Sequence, residues 1–345
     1  MTVCFFGIYD PSYSRNGILM KGLKLNGVEV IECNATRGRI KKYFSLFIKH
    51  WKIRGKYDVM IVAFPGYQAI ILAKLLTRKP IILDAFFSIY DSEVLDRKST
   101  GPKTLSALYY WFLDWLSCKL ADKVMLDTKA HINYFRELFS LSEEKFIRVL
   151  LGADDQIIKR VQAPARDYLL VHFHGIATPL QGVSYILEAA KLLAAENIKF
   201  NLIGNKIKKR AAAAAAGGNV NLIKTLPYRE LADIMAEADV CLGIFGDSAK
   251  TQAVIPNKVY EALAAGKAVI TADTPAAREL LSDKVNCLFC RVADAEDLAD
   301  KIRLLKRDTG LRRQIALNGY QLFIGELTPE KVTAGLANFI KTYGK

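Results

Sequence analysis

The residues best suited to chemistry lie in the run IPNKVYEALAAGKAVI at positions 255–270. Asn257 and Lys258 fall at the start of a short helix, where free backbone N–H groups favour an anion. Glu261 lies about one turn further on, at the same end of the helix. A carboxylate there can accept hydrogen bonds from a pair of vicinal hydroxyls, such as those of a ribose. The same spacing also fits a plain surface helix with a Lys–Glu pair. Pro256 suits the first turn and Gly266 the C-terminal cap.

A second run, GIATPLQGVSYILEAA at 175–190, places Gly175, Gln181 and Gly182 in a loop ahead of a helix. Such a loop can cradle a diphosphate, because glycines expose backbone donors without obstruction. Asp84 ends an apolar run at 81–84, at the tip of a strand; a capping aspartate in a β–α loop is the alternative. Asp239 follows YRELADIMAEA and reads as a cap and packing residue. His172 and His174 alternate on one strand and read as packing or lining residues. No D-x-D motif stands in a suitable place, and Cys287 and Cys290 have no second pair or nearby histidines. A metal site is therefore not expected.

These residues need strands and helices to position them. Apolar runs at 3–7, 28–31, 59–63, 81–83, 124–126 and 147–150 read as buried strands, with helical stripes between several of them. After a linker at 162–167 the cycle restarts, with strands at 168–173, 200–203, 221–223, 240–244 and 268–272. Helices are expected at 183–195 and 258–265. Alternation of this kind implies parallel sheets. The expected fold class is α/β, with two Rossmann-like domains facing across a cleft. The domains are read as 1–161 (acceptor-binding), 162–325 (nucleotide-sugar-binding) and a C-terminal helix at 326–345 that packs back on the first. The stretch 206–218, with its alanine tract at 211–216, suits an exposed helix and receives no function.

Taken together, 255–270, the glycine loop at 175–182 and the segment ending at Asp239 resemble family 4 glycosyltransferases, retaining enzymes of the two-Rossmann-domain GT-B fold. The resemblance covers most of the second domain; the first matches in layout only. It implies a hexosyltransferase that takes its sugar from a nucleotide diphosphate such as a UDP-sugar, with no cofactor and no metal. It implies that Glu261 binds the ribose. Asn257, Gly175, Gln181 and Gly182 would line the rest of the donor pocket, joined by Gly17 and Arg15 from the loop at 12–17, with Arg15 on a phosphate. Asp84 would touch the donor sugar. Where the family usually has an acid eight residues before Glu261, Ala253 stands. Its usual loop Arg and Lys are Ile176 and Gln181, so Lys258 is the cation expected to meet the leaving diphosphate.

The chain has 345 residues, 51% hydrophobic and 24% charged, enough for two ordinary cores. Its net charge is +14, of which +9 falls in residues 1–150. An anionic partner is expected on that side. Residues 37–56 hold eight Lys and Arg and no acid. Among them Phe44, Phe47, Ile48 and Trp51 recur at helical spacing, with Lys41, Lys42, Lys49 and Lys52 beside them. That pattern suits an anionic membrane surface; packing of the stripe on the core is the alternative. The aromatic helix at 109–115 reads as core.

The N-terminus lacks a signal peptide's features, and the most apolar stretch, 59–76, is interrupted. Six scattered cysteines read as buried free thiols. The expected location is cytoplasmic, peripheral on the inner face of the membrane, with a lipid-linked or glycan acceptor in cell-envelope synthesis. A dehydrogenase is excluded by the missing G-x-G-x-x-G, and no nucleic-acid motif is present. The remaining alternative is a catalytically degenerate GT-B-fold binding or scaffold protein.

Overall fold

A computed structural model describes residues 1–36, 38–205, 207 and 218–343, so the alanine tract lies outside the described residues. The chain divides into two compact units, Met1–Gly152 with Leu327–Lys345, and Ala153–Glu326.

The first unit contains β1 (Thr2–Gly7), α1 (Ser14–Leu25), β2 (Glu29–Asn34), α2 (Lys41–Ile53), β3 (Val59–Val62), α3 (Ala69–Leu76), β4 (Ile81–Asp84), α4 (Leu105–Leu120), β5 (Lys123–Leu126), α5 (Lys129–Phe139) and β6 (Phe146–Arg148). Its six strands are all parallel, in the order β2-β1-β3-β4-β5-β6. The runs VMIV of β3 and IILD of β4 are buried throughout. Near-continuous apolar strands are what a parallel sheet covered on both faces requires. Thr104 caps α4 by accepting from the Ala107 N–H, and Thr128 caps α5 in the same way.

The second unit contains β7 (Leu169–His174), α6 (Val183–Leu192), β8 (Ile198–Ile203), β9 (Val220–Ile223), α7 (Tyr228–Ala236), β10 (Val240–Leu242), α8 (Ala249–Ala253), α9 (Asn257–Ala264), β11 (Ala268–Ala272), α10 (Pro275–Arg278), β12 (Leu288–Cys290), α11 (Ala295–Arg307) and α12 (Thr309–Leu322). Its six parallel strands run β12-β11-β10-β7-β8-β9. In α11, Asp294 caps the start, Glu296 and Asp297 occupy the first turn and Lys306 and Arg307 the last, in keeping with the helix dipole. Its Leu298, Ile302 and Leu305 face the core with β7 and β11 residues.

The last helix, α13 (Pro329–Tyr343), returns to the first unit. Its Leu336, Ala337 and Ile340 join Leu19 and Leu23 of α1 in one core, and Asn26 donates to the Glu330 carbonyl at 2.8 Å. The first division falls after Gly152, earlier than the linker reading at 161/162. Residues 153–161 are tied to the second unit: Lys267 donates to the Val161 carbonyl at 2.9 Å, and the Arg160 guanidinium lies 5.0 Å from the Tyr320 ring centre. All six cysteines are free and buried. Among the described residues no helix is long and apolar enough to cross a membrane.

Candidate functional site

In the second unit the strand order reverses direction at β7, which is flanked by β10 on one side and β8 on the other. Open α/β sheets bind ligands beyond the carboxyl ends of their strands at such a point. The carboxyl end of β7 is His174, and the loop 175–182 follows. Gly175 has φ +151°, and a Cβ there would stand 2.9 Å from the Lys258 Nζ. Gly182 has φ +64°, and its Cβ would lie 2.5 Å from the Phe245 carbonyl carbon. At Gly182 the backbone after β10 leaves no room for a side chain, and at Gly175 the positive φ favours glycine.

The helix α9 brings the other groups to this point. Pro256 is extended and precedes the helix rather than forming its first turn. At the far end Gly266 (φ +63°) donates to Leu263, and the Lys267 N–H donates to Ala262, a Schellman closure. Both Lys258 and Glu261 are buried, at 6% and 4% exposure.

Glu261 is the end of a hydrogen-bonded chain. Tyr228 donates to its Oε1 at 3.0 Å, and the His174 Nε2 stands 2.8 Å from its Oε2. The His174 Nδ1 is in turn 3.0 Å from the His172 Nε2. One proton arrangement satisfies these contacts. His174 donates from Nε2 to the carboxylate, so its Nδ1 accepts from the His172 Nε2–H. The His172 Nδ1 is then bare, and it is indeed buried without a partner. Burial, with His174 and Lys258 nearby, holds His172 well below the usual histidine range, hence neutral. A carboxylate offers about four lone-pair sites. Glu261 therefore keeps capacity for further donors.

Lys258 bonds to the Gln181 side-chain oxygen and lies 3.8 Å from the Phe173 ring centre. Burial pushes its ammonium well below the usual lysine range, opposed by Glu261. Asn257 opens the helix, and its Oδ1 is buried without a partner. Five of the donor residues read from the sequence, Glu261, Asn257, Gly175, Gln181 and Gly182, are thus brought together with Lys258. The cluster can hold a diol on the carboxylate and an anion on the lysine and loop amides. Among the described residues no group of three or more His, Cys, Asp and Glu is placed to hold a metal ion.

The first unit treats its named residues differently. The Arg15 Nε lies 3.1 Å from Asp84 Oδ2, and both side chains are 0% exposed. The Arg15 Nη2 donates to Asp84 Oδ1 at 3.2 Å, and its Nη1 to the Val149 and Leu150 carbonyls at 2.9 and 3.1 Å. Burial raises the Asp84 carboxyl, and Arg15 pulls it back. Arg15, read as a phosphate contact, and Asp84, read as a sugar contact, form a buried ion pair within the first unit. Helix α1 begins at Ser14, inside the segment read as a loop at 12–17, so Arg15 stands on a helix with its side chain buried. Gly17 lies in the first turn of α1, bonded to the Tyr13 carbonyl.

On α2 the stripe is exposed: Phe44 66%, Phe47 42%, Ile48 41% and Trp51 58%. Its core-facing residues are Leu46 and His50. Lys41, Lys42, Lys49 and Lys52 lie on the same helix, and Arg54 stacks 3.7 Å from the Trp51 ring centre. The helix at 109–115 is only partly core: Leu105, Leu108, Tyr109 and Phe112 of α4 are exposed, while Leu113 is buried.

Three contributors, His172, His174 and Tyr228, were not singled out for chemistry from the sequence. The H-F-H alternation of β7 does put both histidines on one face. Tyr228 carries no local signal, since only the fold brings it to Glu261.

Residues 154–322 match the family model "Glycosyl transferases group 1". Over 143 residues, 41% of this chain, it is 27% identical to the N,N'-diacetylbacillosaminyl-diphospho-undecaprenol alpha-1,3-N-acetylgalactosaminyltransferase of Campylobacter jejuni. That match spans only 36% of the relative's length. Among solved structures, Anabaena HepE in complex with UDP and glucose superposes with a TM-score of 0.74 at 16% identity, covering 99% of this chain and 100% of that one. Sucrose-phosphate synthase from Thermosynechococcus elongatus gives 0.79 at 12% identity, covering 99% and 98%. The family model and the relative support the glycosyltransferase superfamily for this chain, and the solved structures show the GT-B fold of two Rossmann-like units.

Proposed function

We propose that the chain is a family 4 retaining, metal-independent hexosyltransferase that moves a sugar from UDP to a lipid-linked acceptor in cell-envelope synthesis. The observation that carries this reading is the buried Glu261 carboxylate, held by Tyr228 and His174 at the strand reversal of the second unit. A ribose diol would take its free lone pairs. The Lys258 ammonium and the amides of the 175–182 loop and the α9 start would meet the diphosphate. As the bond between anomeric carbon and diphosphate oxygen breaks, these donors stabilise the charge that develops on the leaving group. Lys258 leaves Gln181 to do so. HepE was solved with UDP and glucose, and the Campylobacter relative is named for an undecaprenol diphosphate acceptor. Both support the choice of donor and acceptor class.

The location proposed is cytoplasmic, peripheral on the inner face of the membrane. Support comes from α2, whose exposed aromatics stand among basic residues, and from α4, which adds its own exposed apolar side chains. Helix α3 packs against both. Exposed apolar surface on this scale marks an interaction face, and each Lys or Arg near an anionic surface contributes about 1 kcal/mol. Reversing the charges of Lys41, Lys42, Lys49 and Lys52 should abolish binding to phosphatidylglycerol vesicles; unchanged binding would remove the membrane face.

The transfer itself is tested by proton and phosphorus NMR of the protein with UDP-sugars. UDP release that continues in EDTA, gives the donor's anomer and disappears in Glu261→Ala is expected. No consumption of any nucleotide sugar would overturn the proposal, and an inverted product would overturn retention.

A further inference from the structure

At the opposite end of the second sheet lies a cavity of about 960 Å3. Its walls come from residues 160–169, the starts of β10 and β11, and α11 and α12. Strand β7 enters at Leu169 and leaves at His174, so the cavity stands roughly 17 Å from the donor end at ~3.3 Å per residue. It is therefore a separate place on the unit.

Six cations line it: Arg160, Arg166, Lys267, Lys306, Arg312 and Arg313. The acids among its walls are Asp167 and Asp239. Asp239 is engaged, since its Oδ2 accepts from the Leu170 N–H at 2.9 Å and its Oδ1 lies 3.8 Å from Arg312. The walls thus carry an excess of four positive charges.

These cations are not all satisfied. Arg166 donates through Nη2 to the Glu237 carbonyl at 2.6 Å, with the Glu237 carboxylate 3.9 Å from the same nitrogen, and its Nη1 is buried with no acceptor. Lys267 is buried and donates to the Val161 and Ala236 carbonyls. Burial pushes its ammonium down, and Arg166 adds to that fall. Like charges packed into one concavity repel, and a multivalent anion reverses the sign of that interaction.

We propose that this cavity binds a multiply charged phosphate group, as an oligophosphate or diphosphate ester, independently of the donor site. Its volume is at the upper end of the range for small-molecule pockets. Oxygen atoms of the ligand accept from Lys306 and Arg313. Residues 160–169 form one wall, so occupancy fastens that segment to α12.

The test is isothermal titration of the full chain with inorganic pyrophosphate, in the presence of saturating UDP. Wild type and Glu261→Ala should both bind one pyrophosphate that UDP does not displace. The double variant Lys306→Glu/Arg313→Glu, on exposed or half-exposed positions, should weaken it at least ~tenfold while leaving UDP binding unchanged. Vesicles with and without phosphatidate separate the sources. Loss of phosphatidate binding in the double variant assigns a lipid headgroup; pyrophosphate binding without vesicle binding assigns a free phosphate ligand. Pyrophosphate that is fully displaced by UDP, or bound equally well by the double variant, overturns the proposal. Failure of UDP to bind overturns the donor site and leaves this one standing.

Discussion

The two units have the same architecture and use their buried charges in opposite ways. In the first unit the buried charges of Arg15 and Asp84 meet each other, and Arg15 also donates to two backbone carbonyls. In the second, Lys258 has a neutral amide and a ring for company, Asn257 has a bare oxygen, and Glu261 is held by donors that leave it free lone pairs. A sheet end that has closed its polar groups on one another is built for stability. One that leaves them a partner short is built for a ligand, and its cost in stability is the signature.

The contrast is broken most directly by taking one charge from each end. Arg15→Met leaves a buried carboxylate alone and should destabilise the protein by about 3–5 kcal/mol, measured by urea denaturation. The double variant Arg15→Met/Asp84→Leu should recover most of that loss. If Arg15→Met is neutral, the pair does not hold the first unit together. Lys258→Met should behave in the reverse sense. It removes a buried ammonium that lacks an ionic partner at hydrogen-bond distance, so the protein should be at least as stable as wild type. Binding of UDP should weaken by about 1.5–3 kcal/mol, the worth of a charged hydrogen bond. A variant that unfolds readily yet binds UDP normally would make Lys258 a structural residue.

A smaller effect comes from pH. The folded state holds His172 well below the usual histidine value, while the unfolded chain protonates near that value. Between the two, the unfolded state carries one proton more. Stability should therefore fall as pH drops below ~6.5, by up to ~1.4 kcal/mol per pH unit from this group. The difference between the wild-type and His172→Phe denaturation profiles isolates it. Profiles that run parallel from pH 7.5 to 5 would show that His172 is not held neutral.

How far this site was legible in the sequence follows from the range of each signal. Strands β3, β4 and β11 announce themselves as short apolar runs, and the glycines at 175, 182 and 266 announce tight turns, because each cause lies within a few residues. Asn257, Lys258 and Glu261 share one helix, so their convergence needed only the helical period. Tyr228 is 33 residues from Glu261, and nothing near it foretells the contact. The fate of Arg15 was illegible for a related reason: Asp84 is 69 residues away, and a small shift in where α1 begins decides whether that side chain faces in or out. For α2, spacing identified the stripe but not its partner. The helix instead buries Leu46 and His50, which leaves the aromatics outside.

The account rests on the carboxylate of residue 261 as the ribose contact of a nucleotide site built wholly from second-unit residues. Isothermal titration of UDP into the wild type, Glu261→Ala and the Arg15→Met/Asp84→Leu double variant tests it in one experiment. Binding lost in Glu261→Ala and kept in the double variant is the expected result. Equal affinity in Glu261→Ala and the wild type would contradict it.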